Sequence, residues 1–143
     1  MDIREEVAYL KRYYKTDEPF DVIRAKNILL LYEELGLIKG YYNRVLRQKQ
    51  IHINCNLEGN QRIFTATHEL GHAIMHPKAN TPFLLANTYQ SVDKLEIEAN
   101  KFAVEFLITD ETLYEYLKYQ EYTLDQLSRL LGYQKELIEL RLK

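Results

Sequence analysis

The sequence predicts an α+β domain, mostly helical, with a small β-sheet beside one central helix. Three observations predict it. Apolar residues recur at helical spacing toward both ends of the chain, residues 37–56 switch to a period of two, and a strongly patterned helix then carries two histidines four residues apart, His68 and His72. The 143 residues are 46 % apolar and 28 % charged, with five glycines and three prolines. A chain of this length can bury roughly 70 % of its unfolded surface, which suits one ordinary core and argues against disorder. One domain over residues 1–143 is expected, with a helical segment from about 110 to 143 packed on the core.

The elements follow in order. Ile3, Val7, Leu10 and Tyr14 mark a first helix, and a second run from about Phe20 to Leu35 repeats the pattern before Gly36, which supplies a C-cap. From Leu37, the stretches LIKGYYNRV and KQIHINCN are rich in β-branched and aromatic residues. Gln50, His52 and Asn54 alternate with Ile51, Ile53 and Cys55, which predicts two strands with one buried face, paired across a turn at Arg47 to Lys49. LEGN turns the chain, and Asn60 caps a helix whose stripe is Ile63, Ala66, Thr67, Leu70 and Ile74 and which Pro77 ends. His76 to Ser91 shows no regular pattern, and its 16 residues suggest a functional loop or covering flap. Leu95, Ala99, Phe102, Ala103 and Phe106 then mark a further helix. Three shorter helical segments follow, with Thr109 or Asp110 capping the first and Thr123 the second.

Composition excludes several functions. The formal net charge of -2 disfavours DNA binding by bulk charge. Residues 1–50 hold 10 basic and 8 acidic side chains and residues 51–143 hold 9 and 13, a weak asymmetry that reads as a solvated face. The single cysteine, Cys55, fits a reducing compartment, and no window has the ~18 apolar residues of a membrane helix. A cytoplasmic location without membrane attachment is expected, and no targeting segment is evident. The twelve tyrosines, with no tryptophan, suit core, surface or groove alike.

The central helix reads His68-Glu69-Leu70-Gly71-His72, an HExxH pattern. Residues four apart on a helix lie ~6 Å apart along the axis and ~40° apart around it, so both imidazoles reach one metal ion with Glu69 beside them. Zinc takes such nitrogen and oxygen ligands tetrahedrally and, in catalytic sites, keeps a position for water. Gly71 costs the helix about 1 kcal/mol relative to Ala, which implies a close approach by the sheet or another helix.

Candidates for a third ligand are His52, His76, Glu96 and Glu98. His76 lies ~12 Å along the axis from His68 and directly precedes Pro77, so it suits a helix-end or groove contact better than ligation. His52 alternates with core residues on a strand and either enters the cleft or sits exposed. Glu96 flanks the buried stripe of its helix near Asn100 and Ala103, whereas Glu98 lies with Lys101 and Glu105 on the solvated side, which favours Glu96. Asn100, one turn on, can accept a hydrogen bond from the second ring nitrogen of a ligating histidine.

Thr65 to His76 (TATHELGHAIMH) and Glu96 to Ala103 (EIEANKFA) together resemble the ImmA/IrrE metallo-endopeptidases, of the phage or integrative-element anti-repressor type, from about Phe20 onward. The resemblance implies a single zincin-like metallopeptidase domain of the gluzincin kind in bacteria. It implies His68, His72 and Glu96 as zinc ligands, Glu69 as general base and Asn100 as the residue bonded to a ligating histidine. One departure stands out: Ile108, Thr109 and Asp110 replace the family's apolar-proline ending, and a Thr-Asp pair able to cap the next helix preserves the turn. Leu124 to Leu142 superficially resembles a helix-turn-helix, but its balanced charge reads as a packing or substrate-docking element.

The expected function is therefore a zinc-dependent endopeptidase. By resemblance its substrate is a helix-turn-helix repressor, so the partner is a DNA-binding protein and not nucleic acid itself. Gln50 to Asn54 could add the substrate as a further strand. Tyr41, Tyr42, His52 and Tyr89 are candidates for stabilising the oxyanion. The alternatives are a zinc-containing anti-repressor that sequesters its partner without catalysis, and a structural zinc site with four protein ligands. At this length little remains for a separate DNA-binding or sensory domain.

Overall fold

A computed structural model describes residues 2–79, 81–84, 93–118 and 121–143. The order of elements is α1 (Ile3–Tyr14), α2 (Pro19–Ala25), β1 (Leu29–Glu33), β2 (Ile38–Val45), β3 (Gln48–Asn54), α3 (Gly59–Met75), β4 (Thr81–Leu84), α4 (Lys94–Leu107), α5 (Asp110–Leu117), α6 (Leu124–Leu131) and α7 (Lys135–Leu142). This is the mostly helical α+β architecture the sequence predicts.

The second helical run is shorter than its apolar spacing suggests. It ends at Ala25, Asn27 takes the left-handed conformation, and Leu29–Glu33 becomes a strand parallel to β3. A run such as Ile28 to Tyr32 fits either a helix stripe or a strand, and pairing along β3 decides for the strand. Gly36 accordingly lies in the turn to β2, with φ of +60°. The hairpin turn also falls earlier than Arg47 to Lys49: Leu46 and Arg47 are its two positive-φ residues.

The sheet order is β1-β3-β2-β4, with β2 antiparallel to both β3 and β4. β3 is thus paired on both edges, and Gln50 to Asn54 offers no free edge for a further strand. β4 lies inside the stretch that shows no pattern in the sequence; its partner β2 is distant in the chain, so its pairing leaves no local signal. Burial also departs from simple alternation. Ile51 and Ile53 face the core, but His52 and Asn54 on the opposite face are buried too, whereas Cys55 is exposed. Asn54 donates to the carbonyls of Gly36 and Ile38, which removes its amide from solvent.

Helix α3 packs on the sheet and on α4. Its first turn starts at Gly59, so Asn60 does not cap it; the Asn60 amide instead donates to the Gly132 carbonyl at 3.0 Å, tying α3 to the turn between α6 and α7. Ala66, Leu70 and Ala73 join Val22, Ile51, Ile53, Tyr42, Phe102 and Phe106 in the main core, and Phe64, Val104, Ile108, Leu127 and Ile138 form a second cluster under α5 to α7. Thr109 caps α5 and Thr123 caps α6 through a capping box. Asp110 accepts from Arg141 Nη2 and pairs with Arg4, while buried Arg141 also donates to the Ile108 carbonyl at 2.6 Å. The Thr-Asp pair thus both starts α5 and anchors α7.

Gly40 is where sheet and helix touch. A Cβ there would meet the His52 carbonyl oxygen at 2.7 Å and Thr65 Cγ2 at 2.9 Å. Gly40→Ala is expected to destabilise the fold by about 3 kcal/mol, read as a lower urea midpoint.

Candidate metal centre

Two helices build the site. The HExxH residues lie mid-way along α3, where desolvation is complete: His68, Glu69 and His72 are each 0 % exposed, and their ligand atoms lie within 4.8 Å of one another. Gly71 lets α4 approach, since a Cβ at that position would stand 3.1 Å from Phe102 Cβ. The close approach inferred from Gly71 is therefore to a helix. Asp93 caps α4 by accepting from the Leu95 and Glu96 amides, which sets Glu96 in the first turn.

Glu96 reaches back to both imidazoles, with Oε1 2.8 Å from His72 Nε2 and Oε2 3.1 Å from His68 Nε2. Burial raises its pKa, whereas a proton carried on His68 or His72 Nε2 lowers it by hydrogen bonding and charge, which outweigh burial and would hold it at about 2. His68 Nδ1 lies 2.8 Å from Asn100 Oδ1. Because that oxygen only accepts, the proton sits on Nδ1 and the Nε2 lone pair faces the Glu96 carboxylate. Protonating Nε2 as well is disfavoured, since burial pushes His68 down. A cation between Nε2 and the carboxylate resolves two facing acceptors, and an imidazole, imidazole and carboxylate set is one that zinc accepts.

A second chain of contacts orients His72. His76 Nε2 donates to Glu98 Oε1 at 3.0 Å, leaving the His76 Nδ1 lone pair to accept from His72 Nδ1 at 2.9 Å. His72 Nε2 is then the acceptor turned toward Glu96. His76 makes the helix-end contact expected of it. Periodicity places Glu98 on the solvated side of α4, and in the fold that partly exposed side chain meets the end of α3 through His76, a meeting that only the tertiary packing creates.

Glu69 is placed differently. Neither carboxylate oxygen has a hydrogen-bond partner among the described residues, and burial followed by the Glu96 charge raises its pKa well above 4.5. Below that value the group is protonated in folded and unfolded chains alike. As pH rises beyond it, only the unfolded chain ionises, so Glu69 destabilises the metal-free fold increasingly toward neutral pH. Glu69→Gln is expected to raise the melting temperature of chelator-treated protein near pH ~7 and to leave it unchanged near pH ~4.

Of the residues considered for the oxyanion, Tyr42 Oη donates to the Pro77 carbonyl, and Tyr41 stacks on His52 at 4.1 Å. His52 lies on the sheet face away from α3, where it contacts Glu33 and Asn43. The structure does not bring Tyr41 or His52 to His68 and His72, and Tyr89 lies outside the described residues.

Residues 23–143 match the model of the IrrE N-terminal-like domain, a peptidase family. The chain belongs to that family. It is similar to metallopeptidase ImmA of Bacillus subtilis (strain 168), with 34 % identity over 120 residues covering 82 % of this chain and 69 % of that protein. It is also similar to the "uncharacterized immunity region protein 2" of Bacillus phage phi105, with 43 % identity over 140 residues, 97 % of this chain and 88 % of the phage protein. The family and the ImmA relative point to a metallopeptidase-type domain, and among the described residues His68, Glu69 and His72 on α3 form a group that could hold its metal ion, with Glu96 of α4 facing both imidazoles. No described helix is long and apolar enough to cross a membrane.

Proposed function

We propose that this chain is a zinc-dependent endopeptidase that cleaves a helix-turn-helix repressor and so relieves repression. The observation that carries the reading is the convergence of His68 Nε2 and His72 Nε2 on the Glu96 carboxylate, with the buried Glu69 carboxylate beside them. His68, His72 and Glu96 would hold the ion, which supplies a Lewis acid that brings the pKa of coordinated water toward ~7 and polarises a carbonyl. Glu69 accepts the proton of the attacking water on a carboxylate oxygen and delivers it to the departing amide nitrogen. Asn100 and the His76–Glu98 pair keep both ligating imidazoles in the Nδ1–H form.

The repressor reading is supported by the name of the phage relative, which places that protein in an immunity region, and by the charge of -2 on this chain, which leaves DNA binding to the partner. A cytoplasmic site of action accords with a DNA-bound substrate. Incubating the zinc-loaded protein with the repressor encoded beside its gene tests it. Cleavage by wild type but not by Glu69→Gln is expected. An intact repressor under inducing conditions contradicts cleavage, and derepression that persists in Glu69→Gln cells assigns the function to sequestration. Asn100→Ala is expected to weaken zinc binding by about 10–100-fold, measured by competition with a chromogenic chelator.

A further inference from the structure

The β2–β3 hairpin tip combines several features that cost stability. Two-residue turns of this kind favour Asn-Gly because both residues take positive φ, yet here Leu46 has φ of 49° and Arg47 has φ of 71°. Leu46 is 95 % exposed and Val45 is 46 % exposed. Arg44 stands directly opposite Lys49 across the strands, a like-charge pair that disfavours the hairpin. Strain, an exposed leucine and cation repulsion in one turn point to a use outside folding.

Two neighbouring cavities of about 590 and 610 Å³ share Arg44 and Arg47. Lys78 lines the first, Lys26 and Lys49 line the second, and among the described residues no carboxylate lines either. Among the described residues none of these five cations has an ion-pair partner. The surface is held firmly against the end of α3. Tyr42 Oη donates to the Pro77 carbonyl at 2.6 Å, and Lys49 Nζ donates to the Ala73 carbonyl at 2.7 Å. Pro77, Lys78 and Ala79, which line the two cavities, directly follow His76, whose ring contacts His72.

We infer that the hairpin tip is a docking surface for an acidic protein segment bearing an apolar side chain, held by Arg44, Arg47 and Lys78 around Leu46. Calling that segment part of the cleaved protein rests on the peptidase reading above. Charge complementarity selects an acidic partner. The exposed Leu46, which lines the first cavity with Arg44, Arg47 and Lys78, favours a protein over a nucleic acid, whose phosphates make no use of an apolar side chain.

The test follows a fluorescein-labelled peptide of alternating Glu and Leu by anisotropy, against full-length zinc-loaded Glu69→Gln protein. Saturable binding is expected, weakened about tenfold by the Arg44→Glu, Arg47→Glu double variant. Leu46→Asn combined with Arg47→Gly restores the favoured turn, so the melting temperature should rise while peptide binding falls, an opposition that a merely structural role does not produce. Unchanged binding in either double variant overturns the inference, as does displacement of the peptide by an equal concentration of duplex DNA. The two readings fail separately: hydrolysis of denatured casein by wild type reports the peptidase, and the anisotropy reports the surface.

Discussion

Glu69→Gln is expected to lower peptide hydrolysis by about 10³-fold while leaving zinc content and fold intact. The argument rests on what surrounds the carboxylate. It is fully buried, neither oxygen has a hydrogen-bond partner among the described residues, and burial with the Glu96 charge raises its pKa well above 4.5. A structural carboxylate in such a place would be bonded, because an uncompensated one is costly. A general base gains from the same setting, since its proton affinity is raised toward working pH. Gln keeps the shape and removes the titrating oxygen. Hydrolysis of a quenched fluorescent peptide, measured beside metal content, checks the result; a variant as active as wild type would remove Glu69 from the chemistry.

Glu96→Ala is expected to abolish both zinc retention and hydrolysis, with a larger effect than Glu98→Ala. Glu96 joins the two imidazoles at 2.8 and 3.1 Å and stays ionised down to a pKa of about 2. Removing it takes away the carboxylate that faces both imidazoles. Among the described residues Glu98 bonds to His76 and not to the ligating nitrogens, so Glu98→Ala should keep the ion and weaken its binding by about tenfold, through looser orientation of His72. Dialysis against graded chelator followed by metal analysis separates the two variants. Equal loss in both would contradict the assignment of roles.

Much of this centre is readable before any coordinates. The preference for Glu96 over Glu98 follows from the apolar stripe Leu95, Ala99, Phe102 and Phe106, and Asn100 follows from lying one turn beyond Glu96; the structure brings both residues to the histidines. Gly71 announces a close contact, although Phe102 as the neighbour is visible only in the fold. What was not readable depends on distant pairing. Ile28 to Tyr32 satisfies helix and strand patterns equally, and its strand state is decided by β3, some twenty residues later. The Glu98–His76–His72 chain needs the end of α3 to meet the start of α4, which no local pattern encodes. His52 and Asn54 look like the wet face of a two-faced strand, yet hydrogen bonds to Glu33, Gly36 and Ile38 bury them.

Metal content of purified wild type, Glu69→Gln and Glu96→Ala, determined side by side with hydrolysis of one peptide, tests the central claim most directly. The account predicts about one zinc per chain in wild type and Glu69→Gln, none in Glu96→Ala, and hydrolysis by wild type alone. Zinc retained by Glu96→Ala, or hydrolysis retained by Glu69→Gln, would contradict it.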